Sequence, residues 1–167
     1  AAPAAGLLFF SASGHAQAAA EAAVAVLGRY ENAVGTSDAA SQGVVAREGI
    51  DKRPVLRPGE VAEAVPGMIV TQHSGDGKAN QFFLRGYNLD HGTDFATCVA
   101  GMPVNMPTHA HGQGYTDLNF VIPELISRIA YNKGPYFAED GDFGSAGSAR
   151  IGYAEKLPFD VASLTAG

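Results

Sequence analysis

The sequence predicts a small α+β domain with a short mixed sheet, two or three short helices and long loops. Three observations predict it. Short apolar runs recur between Gly- and Pro-containing turns, the length of strands rather than of long helices. Helix signals are few and short. Gly is abundant at 21 residues while only 17% of residues are charged, a composition of many turns and of surfaces that something else covers. Loops this long are uncommon in a domain that stands alone.

The elements follow in order. Val44 and Val45 suggest a strand ending near Gly49. Pro58 sits at a first helical position, and Glu60 places a negative charge in the first turn, where the helix dipole favours it. Leu56 and Val61 are spaced as a hydrophobic staple. Val61, Ala64 and Val65 keep helical spacing until Pro66-Gly67 stops it. Met68-Ile69-Val70 begins the next strand, and Ser74 to Ala79 is a turn-forming loop. Gln81 to Tyr87 returns to strand character. Phe95–Val99 and Met102–Met106 are separated by Ala100-Gly101, the spacing of a two-residue hairpin, and Pro103 argues for an edge position in the second arm. Ile122 to Ile126 reads as a short helix entered by Pro123. Arg128 to Lys133 alternates, with Ile129 and Tyr131 on one side. Phe137 to Gly147 is an acidic, Gly-rich loop, and Arg150 to Tyr153 a last short strand.

The 167 residues suit one domain with unstructured ends. A formal charge of −6 and a pI of about 5.2 argue against nucleic acid, whose phosphates want a basic patch. Cys98, the single cysteine, reads as a small hydrophobe. No apolar stretch reaches the roughly 18–20 residues of a spanning helix. Residues 1–18 hold Leu7-Leu8-Phe9-Phe10 and then Ala16-Gln17-Ala18, which reads as a secretory-signal remnant with an A-x-A cleavage site. Residues 19–43 form a flexible arm whose apolar run, Ala22 to Leu27, could add to another protein's sheet edge or be a short strand of this domain.

Five segments, in order, are similar to one family. RPGEVAEAVPG (Arg57 to Gly67) resembles the first helix of TonB-dependent receptor plugs, with its closing "vPG" turn. FLRGY (Phe83 to Tyr87) resembles the "iRG" strand. VAGMPV (Val99 to Val104) resembles the "vDGvpv" hairpin, IPELISRIAYNKGP (Ile122 to Pro135) resembles "p..iErIEvlkGP", and GSAGSARI (Gly144 to Ile151) the closing "Gs.AigGvI". Chance matches would not keep order and spacing. The resemblance spans Val44 to Tyr153, with the domain expected over 44–155. FDVASLTAG at the end resembles the opening of a first barrel strand, giving 156–167 as the start of a barrel that this sequence does not contain.

The resemblance implies an outer-membrane role. Such plugs block the lumen of a barrel of about 22 strands. Their loops help bind a scarce ligand, such as an iron chelate or metal complex, and the TonB energy-coupling protein pulls a TonB box by strand pairing. The box candidate is Ala23, Val24, Ala25, Val26 and Leu27. The implied structural positions are Pro66, Gly67, Arg85, Gly86, Gly101, Arg128, Gly134 and Pro135. One departure stands out: Ala100 replaces the hairpin's usual Asp, and a type I′ turn needs positive φ at both central residues, which Ala tolerates poorly.

His109 and His111, with His91, Asp90 and Asp94 nearby, form the densest set of metal-capable side chains. Imidazole and carboxylate suit zinc, copper, nickel or iron, and in an extended segment the i, i+2 spacing puts His109 and His111 on one face. The bland alternative is a polar loop without metal, since the spacing matches no closed site. The ligand-binding candidates are His91, Asp94, His109, His111 and Tyr115. His73 and His15 read as incidental. Arg85, Arg128 and Lys133 read as charges that pair with plug or barrel-wall carboxylates. Catalysis lacks support. Ser145 and Ser148 have no nucleophile elbow around them. Gly75-Asp76-Gly77-Lys78 lacks phosphate-loop spacing. Glu139, Asp140 and Asp142 lack the EF-hand pattern and read as a solvated acidic loop. The functional alternative to a plug is a free-standing periplasmic metal-binding module using the His-rich loop.

Overall fold

The computed structural model describes residues 30–32, 35–39, 41–73, 77–157, 160, 162 and 164, with side chains from residue 41 onward. The signal remnant, the TonB-box candidate, His15 and most of 156–167 lie outside the described residues.

A seven-stranded mixed sheet forms the body. Its strands are β1 (Tyr30–Asn32), β2 (Gly35–Ala39), β3 (Gln42–Ala46), β7 (Phe95–Val99), β8 (Met102–Pro103), β9 (Ile126–Asn132) and β10 (Gly147–Tyr153), in the order β1-β2-β3-β9-β10-β7-β8. β10 runs parallel to β7; the other pairs are antiparallel. A separate three-stranded sheet contains β4 (Met68–Thr71), β5 (Gln81–Leu84) and β6 (Tyr87–Asn88). This is the expected α+β mixture of short strands and short helices.

The central strands follow their side-chain alternation. In β9, Ile126, Ile129 and Tyr131 are buried, while Arg128 is exposed. In β4, Met68 and Val70 point inward and Ile69 and Thr71 outward. β10 begins at Gly147, three residues earlier than expected. Gly147 is obligatory there: it takes φ +149, and a Cβ would lie 2.3 Å from the Asn132 carbonyl oxygen.

Four expectations need correction. The chain does not stay extended to Gly49; β3 ends at Ala46 and α1 (Arg47–Asp51) follows, burying Ile50. Arg47 holds α1 in place by donating to the carbonyls of Pro123 (2.7 Å) and Ile126 (3.0 Å). The segment before Val44 is not wholly an arm, because β2 pairs onto β3 and β1 onto β2. The helix at Pro58–Ala64 is 3₁₀, and its start is fixed by the Glu60 carboxylate accepting from Leu56 N (2.8 Å) and Arg57 N (3.2 Å). No staple forms there, since Leu56 is 86% exposed. Finally, the acidic loop is not all solvated. Asp140, at the end of a 3₁₀ turn (Ala138–Asp140), has a side chain only 2% exposed and pairs with Arg150 at 2.6 Å.

The long loop between β6 and β9 carries little regular structure, so its buried polar groups need other partners. Asn105 supplies them. Its buried carboxamide accepts from Thr97 N (2.7 Å) and donates to the carbonyls of Gly92 (3.1 Å), Phe95 (3.0 Å) and Gly114 (3.1 Å). One amide donor on one side and three carbonyls on the other settle which end of the side chain is oxygen.

At the β7–β8 hairpin Ala100 has φ +50 and Gly101 φ +81, so the turn is of the I′ kind and Ala100 bears its backbone cost. Pro103 lies on edge strand β8, as expected.

Two outcomes are expected on chemical denaturation. Asn105→Ala strands several buried backbone groups and should lower the unfolding free energy by about 3 kcal/mol; an unchanged midpoint would remove Asn105 from its organising role. Ala100→Asn suits the left-handed region better and should raise it by about 0.5–1 kcal/mol.

Candidate functional site

The His-rich region assembles from three loops. His73 lies two residues past β4. His91 lies in the turn after β6, where Asp90 takes φ +50 and its N–H is held by Asn88 Oδ1 at 2.8 Å. His111 sits on a loop closed at its base by the Met106–Tyr115 bridge. The β4–β5 pairing, with Thr71 opposite Gln81, brings His73 back beside Asn80 and the His91 turn.

His91 is 1% exposed and anchors the group. Its Nδ1 lies 3.1 Å from the Asn80 carbonyl oxygen, which can only accept. Nδ1 therefore carries the proton, and Nε2 presents a lone pair. That lone pair receives a hydrogen bond from His73 Nδ1 at 2.9 Å. The His91 ring centroid is 5.0 Å from that of His73 and 4.4 Å from that of His111. One nitrogen from each of His73, His91 and His111 lies within 4.8 Å of the other two. Asp90 Oδ1 is 3.7 Å from His91 Nε2, beside the cluster. His111 is exposed at its outer side, yet its basicity is lowered by lost solvation where it meets the group, then by repulsion from His91.

The structure thus brings His91 and His111 together, adds His73, which the sequence reading set aside, and separates the other candidates. His109 does not share a face with His111. The segment turns, with Gly112 N bonded to the His109 carbonyl (3.2 Å) and His111 N to His109 Nδ1 (3.1 Å), and the His109 ring stacks on Tyr115 at 3.9 Å. Tyr115 has a structural duty, its buried hydroxyl accepting from Ala79 N at 2.7 Å. Asp94 belongs elsewhere: Ser145 Oγ donates to its carboxylate at 2.6 Å, and its carbonyl accepts from Ala146 N.

A second grouping forms where three separated dipeptides meet. The Gly67 carbonyl accepts from Arg85 N (2.9 Å), and the Pro66 carbonyl accepts from Lys133 Nζ (3.3 Å). Gly134 and Tyr136 continue the same cleft. Lys133 is buried, sits 5.5 Å from the centroid of the Tyr131 ring, and is less basic than usual because of burial and then the nearby Arg85. Among the described residues Arg85, Arg128 and Lys133 make no ion pair.

The family model described as TonB-dependent Receptor Plug Domain matches residues 36–148. Solved structures resemble the chain. A mutant of the ferric enterobactin receptor (PfeA) from Pseudomonas aeruginosa, in complex with enterobactin, has 25% identity and a TM-score of 0.52, with 70% of this chain and 18% of that chain covered. The siderophore receptor PirA from Acinetobacter baumannii has 24% identity and a TM-score of 0.54, with 71% and 18% covered. Copper transporter OprC has 20% identity and a TM-score of 0.51, with 70% and 17% covered. The matched part is therefore less than a fifth of each receptor's length. With the family model covering strands β3 to β9 and the meeting dipeptides, the chain belongs to the TonB-dependent receptor plug domain family.

Proposed function

We propose that this chain is the gating plug of an outer-membrane receptor. It occupies the lumen of a β-barrel and rearranges, when TonB draws on it, to admit a scarce ligand such as an iron chelate or a metal complex. The observation that carries this reading is the family match over residues 36–148. Receptors for a siderophore and a transporter for copper are among the similar structures, which motivates the ligand class.

The surface supports the same reading. Ile69, Tyr87, Phe120, Ile122 and Tyr136 are large apolar groups left exposed on this domain, more naturally covered by a wall than by water. Arg85 and Arg128 are cations that suit wall carboxylates. On this reading the domain spans 44–155 plus the strands that pair onto it, 156–167 leads into the barrel, and Ala23 to Leu27 is the TonB box. Of the ligand-facing candidates, His111 faces outward beside the buried His91, whereas His109 is stacked on Tyr115 and Asp94 braces the closing Gly-rich segment.

The energy-coupling step gives the test. Titration of the 167-residue chain with the periplasmic domain of TonB should show saturable binding by calorimetry. Val24→Pro should abolish it, because Pro cannot donate to an added strand. A wild-type chain that gives no binding, or a Val24→Pro variant that binds equally well, would remove the box from this position.

A further inference from the structure

We infer that His73, His91 and His111 form a transition-metal site on the plug itself. The site goes beyond the gating reading and does not need it, for its three nitrogen donors all come from this chain.

The donor set suits a borderline divalent ion, Zn²⁺ or Cu²⁺. His91 is prepared for it. Its Nδ1–H is committed to the Asn80 carbonyl, the outer-shell bond that orients a ligating imidazole and fixes its tautomer. Its Nε2 lone pair faces the other two rings. At present that lone pair is occupied by the His73 Nδ1 hydrogen. For both nitrogens to bind one ion, the His73 proton moves to its Nε2, which is simple for an exposed ring. The 2.9 Å between the two nitrogens then opens by a few tenths of an ångström, since ligands about 2.0–2.1 Å from a tetrahedral ion stand roughly 3.4 Å apart. His111, on its turned loop, supplies the third nitrogen. A fourth position is left toward solvent, with the Asp90 carboxylate at its rim. Asp90 favours a cation there, and Lys78 is the nearby charge that opposes it.

The arrangement divides labour by mobility. One ligand is buried and held by hydrogen bonds; the other two are exposed, one on each neighbouring loop. An ion would tie His73, just past β4, and the 107–114 loop to the His91 turn. His109, the nearest histidine in sequence to His111, is excluded because its ring is stacked on Tyr115 and its Nδ1 is taken by the His111 amide.

Calorimetric titration of the chain with Zn²⁺, and visible spectroscopy with Co²⁺ as its reporter, would test this. The expected result is one ion per chain, with Co²⁺ bands of a tetrahedral site. His73→Ala and His111→Ala should each weaken binding by roughly tenfold or more. Both side chains are exposed, so a matching thermal melt will show that the fold is intact. His109→Ala should bind as the wild type does. Absence of binding by the wild type overturns the site. So does a result in which His109→Ala abolishes binding while His73→Ala retains it, which would return the metal to the local His109–His111 pair.

Discussion

The Asn105 carboxamide is the constraint on which the loop architecture depends. Between β6 and β9 the chain has only the β7–β8 hairpin and the 3₁₀ turn Pro123–Leu125 as regular elements, and a buried loop is tolerated only if its amides and carbonyls find partners. Asn105 gathers Gly92, Phe95 and Gly114 onto one side chain and ties them to β7 through Thr97. Gly92 follows His91, and Gly114 precedes Tyr115. The same amide therefore sets the positions of the buried imidazole and of the ring that supports His109. Removing it would disturb the histidine cluster without touching a histidine.

Much of the sheet was legible in the sequence because its strands carry their own side-chain pattern. β4, β5, β9 and the β7–β8 hairpin alternate or end in turn residues, and their inward positions are the apolar ones. The 3₁₀ turn at Pro123–Leu125 announced itself through its proline. The elements that escaped have no such pattern. Tyr30–Asn32 and Gly35–Ala39 show no apolar alternation; they are strands because β2 pairs its backbone onto β3 and β1 onto β2. Helix α1 is five residues long, contains a glycine and lacks a side-chain cap. It exists through tertiary contacts, chiefly the reach of Arg47 to the β9 entrance.

The site was half legible. His91 and His111 were found by local density, but local density also favoured His109 and Asp94, which point into other duties. His73 was passed over because its partners lie 18 and 38 positions away, and sequence spacing carries no metal signature at that range. The signal that reaches it is register. Pairing β4 with β5 so that Thr71 meets Gln81 returns the chain to Asn80, whose carbonyl orients His91. A hairpin register derived from the alternation of Met68–Thr71 and Gln81–Leu84 places His73 beside that turn before any side chain is considered.

The meeting of Pro66-Gly67, Arg85-Gly86 and Lys133-Gly134 shows how short matched segments acquire a shared physical meaning. Each is local in the sequence, yet Pro66-Gly67 accepts a hydrogen bond from each of the other two, and two cations come near each other. Lys133 is buried with a carbonyl and an aromatic face as partners, so its charge is poorly compensated within the domain, and the proximity of Arg85 adds to the cost. A domain selected only for its own stability would gain by replacing that amine with an apolar side chain. Within the proposed barrel the balance reverses: one wall carboxylate reaching this cleft would meet both cations at once, raise the basicity of Lys133, and convert an internal cost into docking energy. On the proposed seating, the same electrostatics that costs the domain by itself would favour the seated state, and would let it loosen if that single contact were drawn away.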